Sequence, residues 1–326
     1  MPAHPSCHPC DTMAPSSAWL GAIRNNVVEF RSMIGDLLGL GSAFTWALVS
    51  VLLRSLQSRT NALSLNAFRS LVAAVLAMAV VIGTGRLELL DDFSRPSLFF
   101  LVISVLVGMG IGDTLYFHSL RLVGIVRGLL LSNSYPIFAA LMASVLLGER
   151  VTPGLLLGTL LVVSGVGLVM VPNKALLLKS EVGPGKNMRL GILLALLSGL
   201  CWALATVLVR IGVQQTDGLT ATTVRLMAAT IALLLGTGVS RSGFQLREYW
   251  GTQLAGAVAA GMITLLTSLT FLLSVQFVGA AKAATLTATA PLFGAPMSLL
   301  MGERMTWQIA AGCIISVAGI WLVVAM

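Results

Sequence analysis

From residue 34 to residue 325 the chain is a succession of apolar runs parted by short polar breaks. Each run has about the 17 to 25 residues that a helix needs to cross a bilayer. Inside hydrocarbon every backbone N–H and C=O must find its partner within the segment, so such runs have one stable solution, the transmembrane helix. Ten spans are expected, near 34–53, 61–83, 97–119, 123–147, 153–171, 190–211, 218–238, 250–276, 280–300 and 307–325. Only 10% of the residues are charged and 57% are hydrophobic, which excludes a soluble domain. The class is an all-α integral membrane protein. Helical periodicity adds little, because most runs are apolar all round.

The net charge of +8 comes from basic residues scattered singly through the breaks, which points to lipid headgroups and away from nucleic acid. Of the four cysteines, Cys201 and Cys313 fall inside spans, where a thiol acts as a small hydrophobe, so no disulfide framework is expected. Residues 1–32 are rich in proline and small polar residues and read as a disordered tail without a secretory signal. His4, Cys7, His8 and Cys10 have metal-compatible spacing there, but a tail offers no supporting core, and neither a metal nor another cofactor is expected.

The chain also repeats itself. A shift of 156 residues lays Trp46 on Trp202, Arg54 on Arg210 and Arg69 on Arg225. The shift falls to 155 at Pro136 and Pro291, then to 154 at the tags "LLGERVT" (146–152) and "LMGERMT" (300–306) and at the glycine pairs Gly158/Gly312 and Gly165/Gly319. The copies occupy 33–171 and 190–326, joined by a linker at 172–189 with the Pro, Gly and Lys content of an exposed connection. Five spans per copy is an odd number, so the copies must enter the membrane facing opposite ways. Inverted repeats of this kind let a carrier exchange two mirror-related states around a site near the midplane.

The elements that recur resemble the EamA family of the drug/metabolite transporter superfamily. They are Trp46 and Trp202 in the first helix of each copy, the arginines in "NAFRSLVAA" and "TTVRLMAAT", "GDTLYFHSLRLVG", the mid-helix prolines, and the GER tag with the spaced glycines of "GTLLVVSGVG". The resemblance covers about 34–326. It implies a ten-helix carrier with both termini cytoplasmic that moves amino acids, metabolites or drugs, often as an exporter. The charge distribution pulls the other way: with the amino terminus inside, the outer segments carry more Lys and Arg than the inner ones, Lys174, Lys179, Lys186 and Arg189 among them. The positive-inside rule favours the reverse.

Several residues can carry chemistry. Arg69 and Arg225 lie about eight residues into their helices, roughly 12 Å along the axis at 1.5 Å per residue. Either they reach back to the headgroups or cap a neighbour, or they attract an anionic group such as a substrate carboxylate. Asp113 is expected well inside the third span and its counterpart is Ser268, so the shared fold does not require the charge. A carboxylate there can carry a proton, with His118 as a relay; the alternatives are an ion pair with Arg69 or a cap.

Pro136 and Pro291 break the fourth and ninth helices, leaving the carbonyls of Ser132 and Thr287 unpaired. Polar residues precede both, Asn133 and Tyr135 in one copy and Thr287 in the other, and this concentration at the midplane is the best substrate-site candidate. Interhelical packing by small hydroxyl residues is the competing explanation. Trp46, Trp202 and Tyr116 can stack on an apolar or aromatic substrate or serve packing alone. The GER tag reads as a turn: Gly148 ends one helix, Thr152 caps the next with Pro153 in its first turn, and Glu149 sits beside a helix N-terminus.

No nucleophile elbow, zinc-protease or phosphate-loop signature is present. The expectation is a secondary transporter of small organic solutes in the cell membrane, the inner membrane in a bacterium, with membrane lipids around it and room for a homodimer. The rival is a lipid flippase or an intramembrane enzyme acting on a headgroup, which a lateral opening between helices would favour.

Overall fold

The computed structural model describes residues 17–56, 62–123, 128, 131–170, 187–214, 216–239, 252–300 and 307–325. The cysteine and histidine cluster of the tail, nearly all of the linker and residues 301–306 of the second tag lie outside the described residues. The long elements in chain order are α1 (Ser17–Leu56), α2 (Ala62–Gly83), α3 (Arg95–Val105), a π-helical segment Leu106–Gly112 and α4 (Asp113–Val123). Next come α5 (Tyr135–Leu147), α6 (Pro153–Met170), α7 (Met188–Gly212) and α8 (Gly218–Val239), then α9 (Thr252–Val278), α10 (Ala280–Thr287), α11 (Ala290–Leu300) and α12 (Trp307–Val324).

Among the described residues seven helices are long and apolar enough to cross a membrane, and they fall on the first, second, third, sixth, seventh, eighth and tenth expected spans. Ten uninterrupted crossings are not found among the described residues. The fourth and ninth spans are each cut in two, at Asn133–Ser134 and at Ala288–Thr289, and α5 and α6 are shorter apolar helices. The cause lies in Pro136 and Pro291. Each stands second in the helix that follows the break, where its missing N–H removes no helical hydrogen bond. The break is bridged by tighter turns, Ser134 N to Leu131 O at 3.3 Å and Thr289 N to Leu286 O at 3.2 Å. At the other end of the chain α1 begins at Ser17, so residues 17–32 are helical where a disordered tail was expected.

The two copies interlock. In the packing pattern α1 lies on α9 as α3 and α4 lie on α7, while α2 packs on α8 and α6 on α12. Glycines explain the closeness of the approach. A Cβ on Gly35 would sit 2.8 Å from Phe277 Cβ, and its counterpart Gly191 meets Leu122 Cβ at 2.7 Å, the corresponding neighbour. Between α6 and α12, Gly158 lies against Gly319 and Gly165 against Gly312. Each glycine therefore faces the counterpart of the other, so the helices run antiparallel about a two-fold relation. Without a hydrophobic force between helices in lipid, such small-residue contact is what holds a membrane bundle together.

The first GER tag makes the expected turn and then does more. Gly148 ends α5 in the left-handed region at φ +65°, Thr152 Oγ1 accepts the Leu155 N–H at 3.1 Å, and Pro153 opens α6. Glu149 does not stay at the start of α6. Its carboxylate crosses to the other copy, where Oε1 accepts the Ala280 N–H at 3.0 Å and Oε2 the Ala281 N–H at 3.3 Å, capping α10. A carboxylate at a helix N-terminus satisfies orphan donors and complements the helix dipole.

Candidate functional site

The residues singled out from sequence gather into two clusters and leave Arg225 and His118 apart. The first cluster is built on Trp202 of α7. Its Nε1–H donates to Asp113 Oδ1 at 2.9 Å, its ring lies 5.3 Å from that of Tyr116, and Tyr135 meets it edge-on at 6.3 Å. Local sequence makes this meeting feasible. The glycines of "GMGIG" form the π-helical segment ahead of Asp113, and a Cβ on Gly112 would stand 3.0 Å from Trp202 Cδ1. A bulge of this type re-aims the side chains that follow it.

Tyr135 ties this cluster to the second helix break. Its hydroxyl lies 3.0 Å from Ala284 O and 2.8 Å from Thr287 Oγ1; its one proton goes to either of them, and when it goes to Ala284 O the Thr287 hydroxyl is the donor. The half-helix that follows one break is thus joined to the half-helix that precedes the other, α5 of the first copy to α10 of the second. Thr287 also reaches back to Ala283 O at 2.9 Å. Asn133, in the turn itself, holds a buried amide nitrogen that has no acceptor among the described residues.

The second cluster surrounds Arg69, which is 7% exposed. Its Nε donates to Asn66 Oδ1 at 2.8 Å and its Nη1 to Thr264 Oγ1 at 3.1 Å, while the guanidinium stands 5.8 Å from the Trp46 ring. Asp113 is near enough to act on Arg69 electrostatically, but the two make no ion pair. The ion pair with Arg69 that was one reading of Asp113 is not formed: its carboxylate accepts the Trp202 indole N–H. Arg69 is thus hydrogen-bonded by neutral side chains, with Asp113 nearby but not in direct contact, an arrangement that leaves the guanidinium able to take an anionic ligand.

Arg225 stands apart from both clusters. Its Nε reaches Ser104 Oγ at 3.3 Å and its guanidinium lies 6.0 Å from the Phe271 ring, so the repeat-paired arginines have different surroundings. His118 is exposed on α4 without a hydrogen bond to Asp113. Sequence reasoning missed Asn66, Thr264 and Ser104. Asn66 was within reach of it, being three residues before Arg69 and hence on the same helical face. It also missed Asp36 and Lys282, an ion pair with Nζ 3.0 Å from Oδ2 that links α1 to α10. Among the described residues no group of His, Cys, Asp and Glu is arranged to hold a metal ion.

An apolar groove of about 540 Å³ runs between α2 and α8, lined by Leu71, Val75, Met78, Ile82, Met227 and Ile231 among others. Thr230 is the one polar side chain in its lining. The groove gives an acyl chain room but offers a headgroup no partner.

The chain matches the model of the EamA-like transporter family twice, at residues 33–171 and 189–325. It is 23% identical over 291 residues to an uncharacterised transporter of Archaeoglobus fulgidus, covering 89% of this chain and 98% of that one. An uncharacterised protein of Pseudomonas aeruginosa is 29% identical over 139 residues, 43% of this chain and 46% of that one. A protein crystal structure aligns with a TM-score of 0.73 at 17% identity, over 88% of this chain and 95% of that chain, which shows a shared fold.

Proposed function

The chain belongs to the EamA-like transporter family, and from that premise we propose that it is a secondary active transporter exporting small organic solutes such as amino acids or related metabolites. It works by alternating access around the site between the two helix breaks. The observation that carries this reading is the Tyr135 bridge, which joins the broken helices of opposite copies through Ala284 O and Thr287 Oγ1. Broken helices are tolerated at membrane depth where they line a cavity, and counterpart helices packed antiparallel, as α6 and α12 are, suit two mirror-related states.

The two clusters suggest a division of labour. Arg69 receives a carboxylate or another anion, and the faces of Trp46, Trp202, Tyr116 and Tyr135 receive an apolar or aromatic body. Asp113 carries a proton or receives an ammonium group. An amino acid supplies both charges at once, and this is the class we favour. Arg225, in its separate pocket, holds α3 against α8 and α9. The headgroup-processing alternative gains nothing from the groove between α2 and α8, whose lining is almost wholly apolar.

The test is counterflow. Purified protein in proteoliposomes preloaded with each of a panel of amino acids and metabolites should accumulate labelled solute of the same class from outside. If no solute on the panel exchanges while labelled phospholipid moves between leaflets, the carrier reading gives way to the lipid one.

A further inference from the structure

Three ion pairs occur among the described residues, and all three join the first copy to the second. Arg86 Nη1 lies 2.7 Å from Asp217 Oδ1, Arg210 Nε 3.4 Å from Glu149 Oε1, and Lys282 Nζ 3.0 Å from Asp36 Oδ2. All six residues also stand at one end of the bundle. Asp36 opens the first crossing, Arg86 follows the end of α2, Glu149 follows the end of α5, Arg210 is in the last turn of α7, Asp217 precedes α8, and Lys282 is in the first turn of α10. The same end holds Arg31, on the stretch of α1 ahead of the first copy, 5.9 Å from the Phe277 ring of the second.

Arg210 makes this more than three separate contacts. Its Nη1 donates to the last carbonyls of α9, Val275 O at 3.1 Å and Gln276 O at 2.5 Å, while its Nε faces the Glu149 that caps α10. One arginine and one glutamate therefore hold the corner between α9 and α10 to α5 and α7. Gly279, at φ +87°, turns that corner so closely that a Cβ would lie 2.8 Å from Glu149 Oε1. Beside it, Asp36 is buried and Lys282 half-buried, with side chains 7% and 13% exposed.

Sequence register shows that part of this set belongs to one end alone. The 156-residue shift lays Ile192 on Asp36 and Asn61 on Asp217, so neither acid recurs in the other copy. A two-fold fold with equivalent ends would have no preferred state; unequal ion pairs break that balance. We infer that Asp36–Lys282, Glu149–Arg210 and Asp217–Arg86 form an inter-copy latch that holds the transporter shut at the end where α1 begins its crossing, biasing it toward the opposite opening. This rests on the alternating-access reading above. Opening that end separates the copies and breaks all three pairs; because Glu149 and Arg210 have the counterparts Glu303 and Arg54 in the repeat register, the resting bias comes from the pairs of Asp36 and Asp217.

The experiment is a distance measurement on the full chain in lipid nanodiscs, without solute. Spin labels are placed at the exposed positions Arg150 and Gln214, one in each copy, in a background with the native cysteines replaced by serine. The wild-type background should give one short, narrow distribution. Asp36→Asn with Asp217→Asn, which keeps side-chain size and the asparagine's ability to cap α8, should raise the longer-distance population by roughly tenfold, since removing each pair shifts the equilibrium by a few-fold. The swap Asp36→Lys with Lys282→Asp should return the narrow distribution, which a merely space-filling role would not. A distribution that the neutral variant leaves unchanged, or a swap that opens the end as much as neutralisation does, overturns the latch. Because the distances are read without solute, a chain that exchanges nothing can still show the latch, and a chain that transports with unaltered distances keeps the carrier reading and loses this one.

Discussion

Trp202 and Asp113 come from different copies and meet across 2.9 Å, indole nitrogen to carboxylate oxygen. The contact breaks the symmetry of the repeat: Trp46, the counterpart of Trp202, faces Arg69 instead. The same tryptophan therefore serves an anion in one copy and a cation in the other. The two counterpart tryptophans thus have partners of opposite charge.

Asp113→Asn is the cleanest probe of that acid. The asparagine oxygen can still accept the Trp202 N–H, so geometry is kept while the ionisable group is removed. Solute uptake into proteoliposomes should continue at a fixed pH on both sides but stop responding to an imposed pH gradient. A response as large as that of the unaltered protein would move proton coupling away from Asp113.

Tyr135→Phe tests the bridge between the helix breaks. The ring keeps its edge-on position against Trp202, but the hydroxyl contacts to Ala284 O and Thr287 Oγ1 are lost, leaving Ala284 O the Ala288 N–H and Thr287 Oγ1 the Ala283 O. A net hydrogen bond contributes about 0.5 to 1.5 kcal/mol, and more when a buried partner is left unpaired. Thermal melting in detergent should fall by several degrees, and the KM for the exchanged solute should rise. Thr287→Val should cost less, because Tyr135 still reaches Ala284 O, and the double variant should be less than additive. Melting and KM both unchanged in Tyr135→Phe would remove the bridge from the site.

The extent to which these features can be read from sequence follows from their range along the chain. Apolar run length locates the crossings, and proline chemistry locates both breaks, because each is a property of a local window. The turn at Gly148, Thr152 and Pro153 is equally local. Glu149 is not: sequence places it beside its own next helix, yet it caps α10, over a hundred residues away, because the copies interlock. Asp36 escapes a reading of sequence for the same reason, its partner Lys282 being visible only once α1 and α10 are packed together. Arg69 and Arg225 are equivalent in the repeat register and differ in space, since Asn66 and Thr264 surround the one and Ser104 and Phe271 the other.

Gly279→Ala should be poorly tolerated. The backbone there has φ +87° and ψ 171°, a region essentially reserved for glycine and costing about 1 to 3 kcal/mol for other residues. The added methyl would also press on the Glu149 carboxylate, 2.8 Å from Oε1. Both effects act on the cap of α10, so the expected result is a lower melting temperature and reduced yield of monodisperse protein. A melt within about 0.5 kcal/mol of the unaltered protein, the range of neutral surface changes, would contradict the geometry.

The helix pair α6 and α12 carries the two-fold relation most directly. At Gly319 a Cβ would stand 2.8 Å from Gly158 O and 2.8 Å from Val162 N, both backbone atoms that no rotamer change can move aside. Gly319→Leu must therefore push α12 off α6 along the length of their interface. Overpacking of this kind costs about 1 to 3 kcal/mol, and close glycine packing between these two helices is what substitutes for a hydrophobic driving force in lipid. Gly236 provides the control, because nothing lies within 4 Å of the Cβ it would acquire. Size-exclusion profiles and melting curves in detergent should show Gly319→Leu destabilised and Gly236→Leu close to the unaltered protein. Equal behaviour of the two variants would mean that the glycine packing between α6 and α12 does not hold the copies together.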